Sequence, residues 1–318
     1  MHQCFIFAHG DSDGVSSAAL AKAFLEKSGY EVSVVFTHPV GLLGDLREFY
    51  RGEGCAFIVD IAVSELHSEE IFKVLADMSS RGEVIYVDHH PLIEGPSVPK
   101  GVELVYDTHC STSELTYKLL RERGLEPEYS RVALYGAIGN YLDETAWVKD
   151  EMGRWDKRSI YLEAGILIQG LEGSRRDHDF KRRVVAHLSD NKLPSAMKEL
   201  VERSLKQAAE DESLRVWVKG NATLKGKIGY VINPPGSLGK AANYARIYSG
   251  AKVGIAIEER KDVYVMSLRG EAGLDLNQIL RKLGKKLGIS GGGHPQAAGA
   301  RVPVGIFYIF LDELNSAL

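Results

Sequence analysis

Cysteine is scarce in this chain. Three occur in 318 residues, Cys4, Cys55 and Cys110, and no two stand in Cys-x-x-Cys spacing. Neither a disulfide framework nor a thiolate zinc site is indicated, which points to a reducing, intracellular home and a cytoplasmic protein. Runs of about 18 apolar residues are missing, and so is a basic start followed by an apolar stretch, so neither a membrane span nor a signal peptide is expected. Internal repeats, a low-complexity tail and the Lys-Ser/Thr of a P-loop are likewise lacking. Aromatic residues are few, and no stretch has the signature of a base-stacking platform. Trp147, Trp155, Trp217 and the tyrosines are scattered as packing residues are. The net charge of -4 argues against a large duplex-coating surface, but leaves room for a short strand or a small phosphate ester in a local basic pocket. Basic patches at Arg175 and Arg176, Lys181 to Arg183 and Arg281 to Lys286 read, each alone, as solvated helix faces.

What is present is the composition of a soluble globular protein, in a chain long enough for two domains. The first hundred residues alternate between short apolar runs (Gln3–Ala8, Val32–Phe36, Gly54–Val59, Val84–Val87) and segments of helical periodicity (Val15–Glu26, Leu66–Met78). Near-continuous apolar strands separated by amphipathic helices predict βαβ units around a parallel sheet. A weaker strand is expected at Val102–Tyr106. Helices follow to about His187, one capped by Ser111 in STSE and one opened by Pro127. After a polar break at Asp190–Ser195, an exposed charged helix to Glu212 would link to a second, smaller α/β unit. Its strands are expected at Val216–Val218, Lys227–Ile232, Val253–Ile257 and Val263–Ser267. A helix at Leu276–Leu287, a glycine-rich turn and an apolar run near Ile306–Phe310 complete it. The expected division is 1–189, a linker at 190–212, and 213–318.

The polar residues of interest fall just past strand ends, where open parallel sheets form their binding crevice. His9, Asp11 and Asp13 alternate on one loop before Gly14, Asp60 ends the third strand, and Asp88, His89 and His90 end the fourth. Asp143 lies at or beyond a helix end in YGAIGNYLD. Carboxylates and imidazoles suit Mn²⁺, Mg²⁺ or Zn²⁺. Several of them can hold two ions if Asp60 bridges, and such a pair activates a water and clamps a phosphoryl group. Taken singly, each has a plainer reading: a histidine is more often a hydrogen-bonded rim residue, and Asp11 suits a helix cap ahead of Val15. Taken together they resist it, because four carboxylates in one crevice repel without counter-charge. A second signal is GISGGGHPQAAG, in which Gly291, Gly292 and Gly293 can expose backbone N–H groups to an anion beside His294. Arg269, at a strand end, is a second phosphate clamp or an ordinary surface arginine.

In this order, His9-x-Asp11-x-Asp13-Gly14, Asp60, Asp88-His89-His90 and Gly139 to Asp143 resemble the DHH phosphoesterase superfamily. Ser267 to Arg269 and Gly291 to Gly299 resemble its C-terminal DHHA1-type domain. The resemblance spans essentially the whole chain. It implies an N-terminal parallel-sheet αβα sandwich that carries the chemistry, with a smaller C-terminal α/β domain that binds substrate. It implies two manganese ions, with Mg²⁺ or Co²⁺ as substitutes. The metal residues it implies are His9, Asp11, Asp13, Asp60, Asp88, His89 and Asp143. By the same resemblance, Asp88, His90 and Asp60 would act in catalysis, and Arg269, Gly291, Gly292, Gly293 and His294 would bind the substrate's terminal phosphate or nucleotide. The sequence departs from the family's usual Asp-Thr pair in its fourth motif, reading Asp143-Glu144-Thr145.

The compact size is similar to the nanoRNase and oligonucleotide-phosphodiesterase branch, without the added oligonucleotide-binding domain of large RecJ exonucleases. The implied activity is a manganese-dependent hydrolase, a phosphodiesterase or exonuclease that cuts short single-stranded RNA, and DNA with it, to mononucleotides. An alternative keeps the chemistry and changes the substrate to a 3',5'-bisphosphate nucleotide or cyclic di-AMP; inorganic pyrophosphate ranks lower. A second alternative is a non-catalytic replisome or nucleic-acid scaffold. The sequence is compatible with a homodimer and with a replication-protein partner.

Overall fold

In the computed structural model, residues 2–50, 54–92, 97–174 and 176–318 are described, in two compact units, Met1–Gln207 and Ala208–Leu318. Arg175, from one of the basic patches, lies outside the described residues. In unit 1 the chain runs β1 (His2–Ala8), α1 (Ser12–Lys27), β2 (Tyr30–Phe36), α2 (Leu42–Phe49), β3 (Cys55–Val59), α3 (Ser68–Ser79), β4 (Glu83–Asp88) and β5 (Val102–Tyr106). The strands form one parallel sheet in the order β2-β1-β3-β4-β5. Side chains alternate across it with the period of two that a strand imposes. Ile6, Ala8, Phe57, Val59, Ile85 and Val87 enter one core layer, while Phe7, Ala56, Ile58, Val84 and Tyr86 enter the other. Both faces are covered, which is why the strands read as unbroken apolar runs.

The second layer is closed by Leu42 and Leu46 of α2 with Ile71 and Leu75 of α3. The first is closed by α1 and by the helices after β5: α4 (Thr112–Glu122), α5 (Ser130–Gly139), α6 (Ala146–Met152), α7 (Lys157–Glu172) and α8 (His178–Ser189). Ser111 caps α4, its hydroxyl accepting the Glu114 N–H at 3.1 Å. The strand order reverses between β1 and β3, and a doubly wound sheet opens a crevice at that switch point.

Helix α9 (Lys198–Asn221) crosses from unit 1 into unit 2. Unit 2 continues with β6 (Thr223–Lys225), β7 (Ile228–Ile232), α10 (Leu238–Ser249), β8 (Val253–Arg260), β9 (Val263–Gly270), α11 (Leu276–Leu287), β10 (Ser290–Gly293), β11 (Ala297–Pro303) and α12 (Phe307–Ala317). Its sheet runs β10-β11-β9-β8-β7-β6, and only the β7–β8 ladder is parallel. Leu280, Leu283, Phe310 and Leu314 pack on one face, and Leu214, Val218, Ala241 and Ala245 on the other. No helix among the described residues is long and apolar enough to cross a membrane.

Three sequence expectations are corrected. Val216–Val218 is not a strand but the last turns of α9, because Leu214 and Val218, four apart, share a buried helical face. The glycine run is not a turn: Gly291, Gly292 and Gly293 lie in β10, paired with Ala300, Gly299 and Ala298 of β11. Cys4 and Cys55, expected as free thiols, are directly opposite in the β1–β3 ladder and are joined as a disulfide.

The helical assignment at 216–218 can be checked by denaturant unfolding. Val218 is fully buried while Val216 is 56% exposed. Val218→Ala should lose about 2 kcal/mol and Val216→Ala less than about 0.5. Equal losses at the two positions, which a strand presenting both to one face would give, would overturn it.

Candidate metal centre

The sheet brings three strand ends together at the β1/β3 switch point. After β1, the loop His9–Gly10–Asp11 turns into α1. Gly14 is required there, since a Cβ would collide with the His9 carbonyl oxygen. Asp11 is the N-cap of α1 and accepts the Gly14 N–H at 3.0 Å, so the capping role read from sequence and a place in the cluster coexist. Its other oxygen meets His9 Nδ1 at 2.7 Å. Asp13, in the first turn, is fully buried. It accepts from the Ser113 N–H at 2.8 Å and the Thr112 N–H at 2.9 Å, both at the start of α4.

Asp60 follows β3 in the left-handed region, with φ of 61°. An aspartate tolerates this conformation better than most side chains, and the Asp60 N–H donates to the Val87 carbonyl at 3.1 Å, tying the end of β3 to β4. The carboxylate is 2% exposed. One oxygen accepts from the Thr112 hydroxyl at 3.1 Å and lies 3.5 Å from His89 Nε2. The other is 3.8 Å from His9 Nδ1 and has no hydrogen-bond partner among the described residues. At the end of β4, Asp88 meets His90 Nδ1 at 2.8 Å, and the His89 and His90 rings touch edge to face, 4.6 Å between centroids.

The electrostatics follow from this crowding. Burial, and then the charges of Asp11, Asp13 and Asp88, push Asp60 well above the ordinary carboxylate range. Burial and the Asp11 charge raise Asp13 to about 6, against the hydrogen bonds from Ser113 and Thr112. Asp11 is lowered: burial opposes its ionisation, but the His9 contact outweighs it. His9 and His90 are both raised, since the hydrogen bonds and charges of Asp11 and Asp88 overcome the burial that would lower them.

A divalent cation fits this donor set. His9, Asp11 and Asp60 each present an atom within 4.8 Å of the others, and so do Asp60, His89 and His90. Asp60 belongs to both groups, and its orphaned buried oxygen is one that a cation would satisfy. Asp88 and Asp13 are in neither group: Asp88 orients His90, and Asp13 is held by α4. Asp143 is not brought in either; it accepts from the Tyr161 hydroxyl at 3.3 Å. Asn140, the C-cap of α5, stands at the cluster instead. Its Nδ2 donates to Asp13 at 2.8 Å and lies 3.4 Å from His89 Nε2. The sequence reading missed Asn140 because it looked for a carboxylate. The signal was the end of the helical pattern in YGAIGN, where the next side chain is released toward the crevice.

In unit 2, the residues expected to bind phosphate are neighbours. Arg269 pairs with Ala297 across the β9–β11 ladder, next to the β10–β11 connection that carries His294. The Arg269 guanidinium donates to Ser267 Oγ at 3.2 Å and the Leu268 carbonyl at 3.0 Å. The Gly293 N–H donates to Asn277 Oδ1 at 3.2 Å, so that donor of the expected cradle is engaged.

Comparison with known proteins agrees with both units. The N-terminal domain of the DHH family matches residues 3–139, and the DHHA1 domain matches residues 223–318. No curated protein matches the chain in sequence. Among solved structures, Mn²⁺-bound RecJ from Thermus thermophilus has a TM-score of 0.72 at 16% identity, covering 99% of this chain and 52% of that one. The present chain therefore spans about half of that RecJ. The pGpG-specific phosphodiesterase PggH from Vibrio cholerae has a TM-score of 0.62 at 14% identity, covering 100% and 98%. CDC45 from Entamoeba histolytica has a TM-score of 0.56 at 9% identity, covering 99% and 95%. At these identities the likenesses speak for the fold. With one family domain matched in each unit and His9, Asp11, Asp60, His89 and His90 gathered at one switch point, the chain belongs to the DHH superfamily of metal-dependent phosphoesterases, with a C-terminal DHHA1 domain.

Proposed function

We propose that the chain hydrolyses short single-stranded oligonucleotides, RNA and also DNA, to mononucleotides, using two manganese ions. The observation that supports this best is Asp60, buried, half orphaned and common to two histidine-carboxylate groups. Manganese-bound exonuclease RecJ and the pGpG-specific phosphodiesterase PggH share the fold, and both names describe cleavage of nucleotide chains. In this reading residues 1–189 are catalytic, 190–212 connect, and 213–318 bind the substrate end through Arg269, Gly291, Gly292, Gly293 and His294. A cytoplasmic setting rests on the substrate class alone, because the Cys4–Cys55 bond removes the argument from free thiols.

His9, Asp11, Asp60 and His89 would hold the ions, with Asp13 and Asn140 completing the shell. When bound, divalent ions lower the pKa of water and neutralise charge developing on a phosphoryl group. The protein's own groups do the rest. Asp88 holds His90 through Nδ1, and in this reading the His90 ring would donate a proton to a phosphoryl or leaving oxygen. Burial lowers the His90 pKa, but the Asp88 hydrogen bond and charge outweigh it and favour the protonated ring. Thr112 and the α4 N-terminus hold Asp60 and Asp13 in place.

The direct test is hydrolysis by the metal-stripped chain after Mn²⁺ is restored. An RNA five-mer, a DNA five-mer, a dinucleotide, adenosine 3',5'-bisphosphate and cyclic di-AMP would be compared. Stepwise shortening of the five-mers is expected, abolished in Asp60→Asn and reduced about 100-fold in His90→Gln. Turnover of the bisphosphate or cyclic dinucleotide alone would replace the oligonucleotide reading. No turnover at all would leave the non-catalytic scaffold.

Asn140→Asp adds a carboxylate between Asp13 and His89. It should lower the Mn²⁺ concentration for half-maximal activity about tenfold; no change would exclude Asn140 from the metal shell.

Without metal, the raised carboxylates oppose folding when ionised. The Asp13 pKa is about 6 in the folded chain and about 3.9 when unfolded, so the folded state binds more protons between these values. The raised Asp60, His9 and His90 act in the same direction. Thermal stability of the metal-free chain should therefore rise as pH falls from 7 to about 5, and Mn²⁺ should reverse the trend. A metal-free stability that falls over this range would contradict the assigned shifts.

A further inference from the structure

We propose that a cavity of about 450 Å³ on the β2 side of the metal centre, lying wholly within unit 1, is a one-nucleotide subsite. It would take the nucleoside monophosphate unit that adjoins the scissile phosphate, with the phosphate toward Lys181 and His38. This inference rests on the phosphodiesterase reading above and extends it to the part of the substrate beyond the reacting atoms. The cavity shares His9 and Asp11 with the metal centre, so a ligand in it abuts the reacting position.

Lys181 is the residue that makes the case. Sequence assigned it to a solvated helix face with Arg182 and Arg183. Those two do pair on the surface, with Asp179 and Glu199, but Lys181 is only 5% exposed. It stands in the first turn of α8, where the helix dipole disfavours a cation. Its Nζ donates to the Gly10 carbonyl, between His9 and Asp11. Gly10 permits this approach, since a Cβ there would lie 2.6 Å from Nζ. Lys181 thus brings a cation, with Asp11 and Asp177 near it and Glu172 also lining the cavity, to a wall beside the proposed phosphoester centre, where a ligand phosphate would meet it.

The remaining walls suit a nucleoside. Ile168 and Leu171 form an apolar lining, and the Phe36 and His178 rings lie 5.9 Å apart. Thr37, at the end of β2, lines the cavity, is 8% exposed, and its hydroxyl has no hydrogen-bond partner among the described residues. His38 accepts the Gly41 N–H at Nδ1, at 3.1 Å, which leaves Nε2 to carry a proton toward an anion. The volume lies in the range that holds one small ligand.

Photolabelling of the full chain, Mn²⁺-loaded, with 8-azidoadenosine 5'-monophosphate tests this. Saturable label is expected on the peptides holding residues 36–41 or 178–183, displaced by AMP. It should fall about tenfold in His38→Ala and in Lys181→Gln, the latter keeping an N–H donor for Gly10. Thr37→Val gives a third variant should Lys181→Gln unfold. Label confined to residues 288–299, or no saturable label on the folded chain, would overturn the subsite. Because labelling needs no turnover, the readings separate. Five-mer hydrolysis with label elsewhere removes the subsite alone, whereas label here without hydrolysis removes the oligonucleotide reading and leaves a nucleotide site.

Discussion

Four carboxylates, Asp11, Asp13, Asp60 and Asp88, are held at the carboxyl ends of β1, β3 and β4, and three of them are buried. Like charges in a low-dielectric crevice repel strongly, and the local structure around them is arranged to withstand that repulsion. The N-terminus of α4 gives two N–H groups to Asp13. The start of α1 gives one to Asp11, and His9 and His90 each lie against one acid. Asp60 sits at the centre and receives least. It has the Thr112 hydroxyl, two histidines at longer range, and one oxygen with no partner among the described residues. The left-handed backbone at Asp60 adds local strain to this. A position strained in backbone, buried and short of donors is one that a bound cation would stabilise.

The strand order explains why these residues meet. Each is one or two positions past an apolar run, and parallel strands end on the same side of the sheet. That much is legible in the sequence, because strands covered on both faces show as unbroken apolar runs and the residue after each run is the first that can be polar. The helix ends were less legible. Ser111 could be read as a cap from STSE alone, but nothing local tells that the two N–H groups behind it point at Asp13, a hundred residues away. Val216–Val218 has the composition of a strand and is helix because Leu214 and Val218 need one buried face, a tertiary demand that overrides propensity. The sulfur pairing was hidden for a similar reason. Cys4 and Cys55 are 51 residues apart and become neighbours only through the β1–β3 register.

The glycine-rich segment shows a different limit. Consecutive glycines announce that backbone must come close to something, but not to what. Here the close approach is first of all to β11 and to Asn277. Any anion bound there must use donors that the hairpin leaves over, together with Arg269, whose guanidinium is already steadied by Ser267 and the Leu268 carbonyl. Arg269 is thus preorganised, which lowers the ordering cost of a charged contact.

The presence of an amide at 140 bears on charge balance. Two divalent ions, the number proposed, carry four positive charges, and the four named aspartates carry four negative ones. An additional carboxylate at this position would leave the centre net negative before an anionic phosphodiester arrives. Asn140 reaches the same two neighbours, Asp13 and His89, without adding that charge. Lys181, hydrogen-bonded to the Gly10 carbonyl, adds a positive charge beside the ions instead of on them. A centre built this way holds its ions less tightly than a fully acidic one and attracts its anionic substrate more strongly. If the substrates are the short strands proposed, which bring few phosphates to any extended basic surface, attraction at the reacting centre itself would be the contribution that matters.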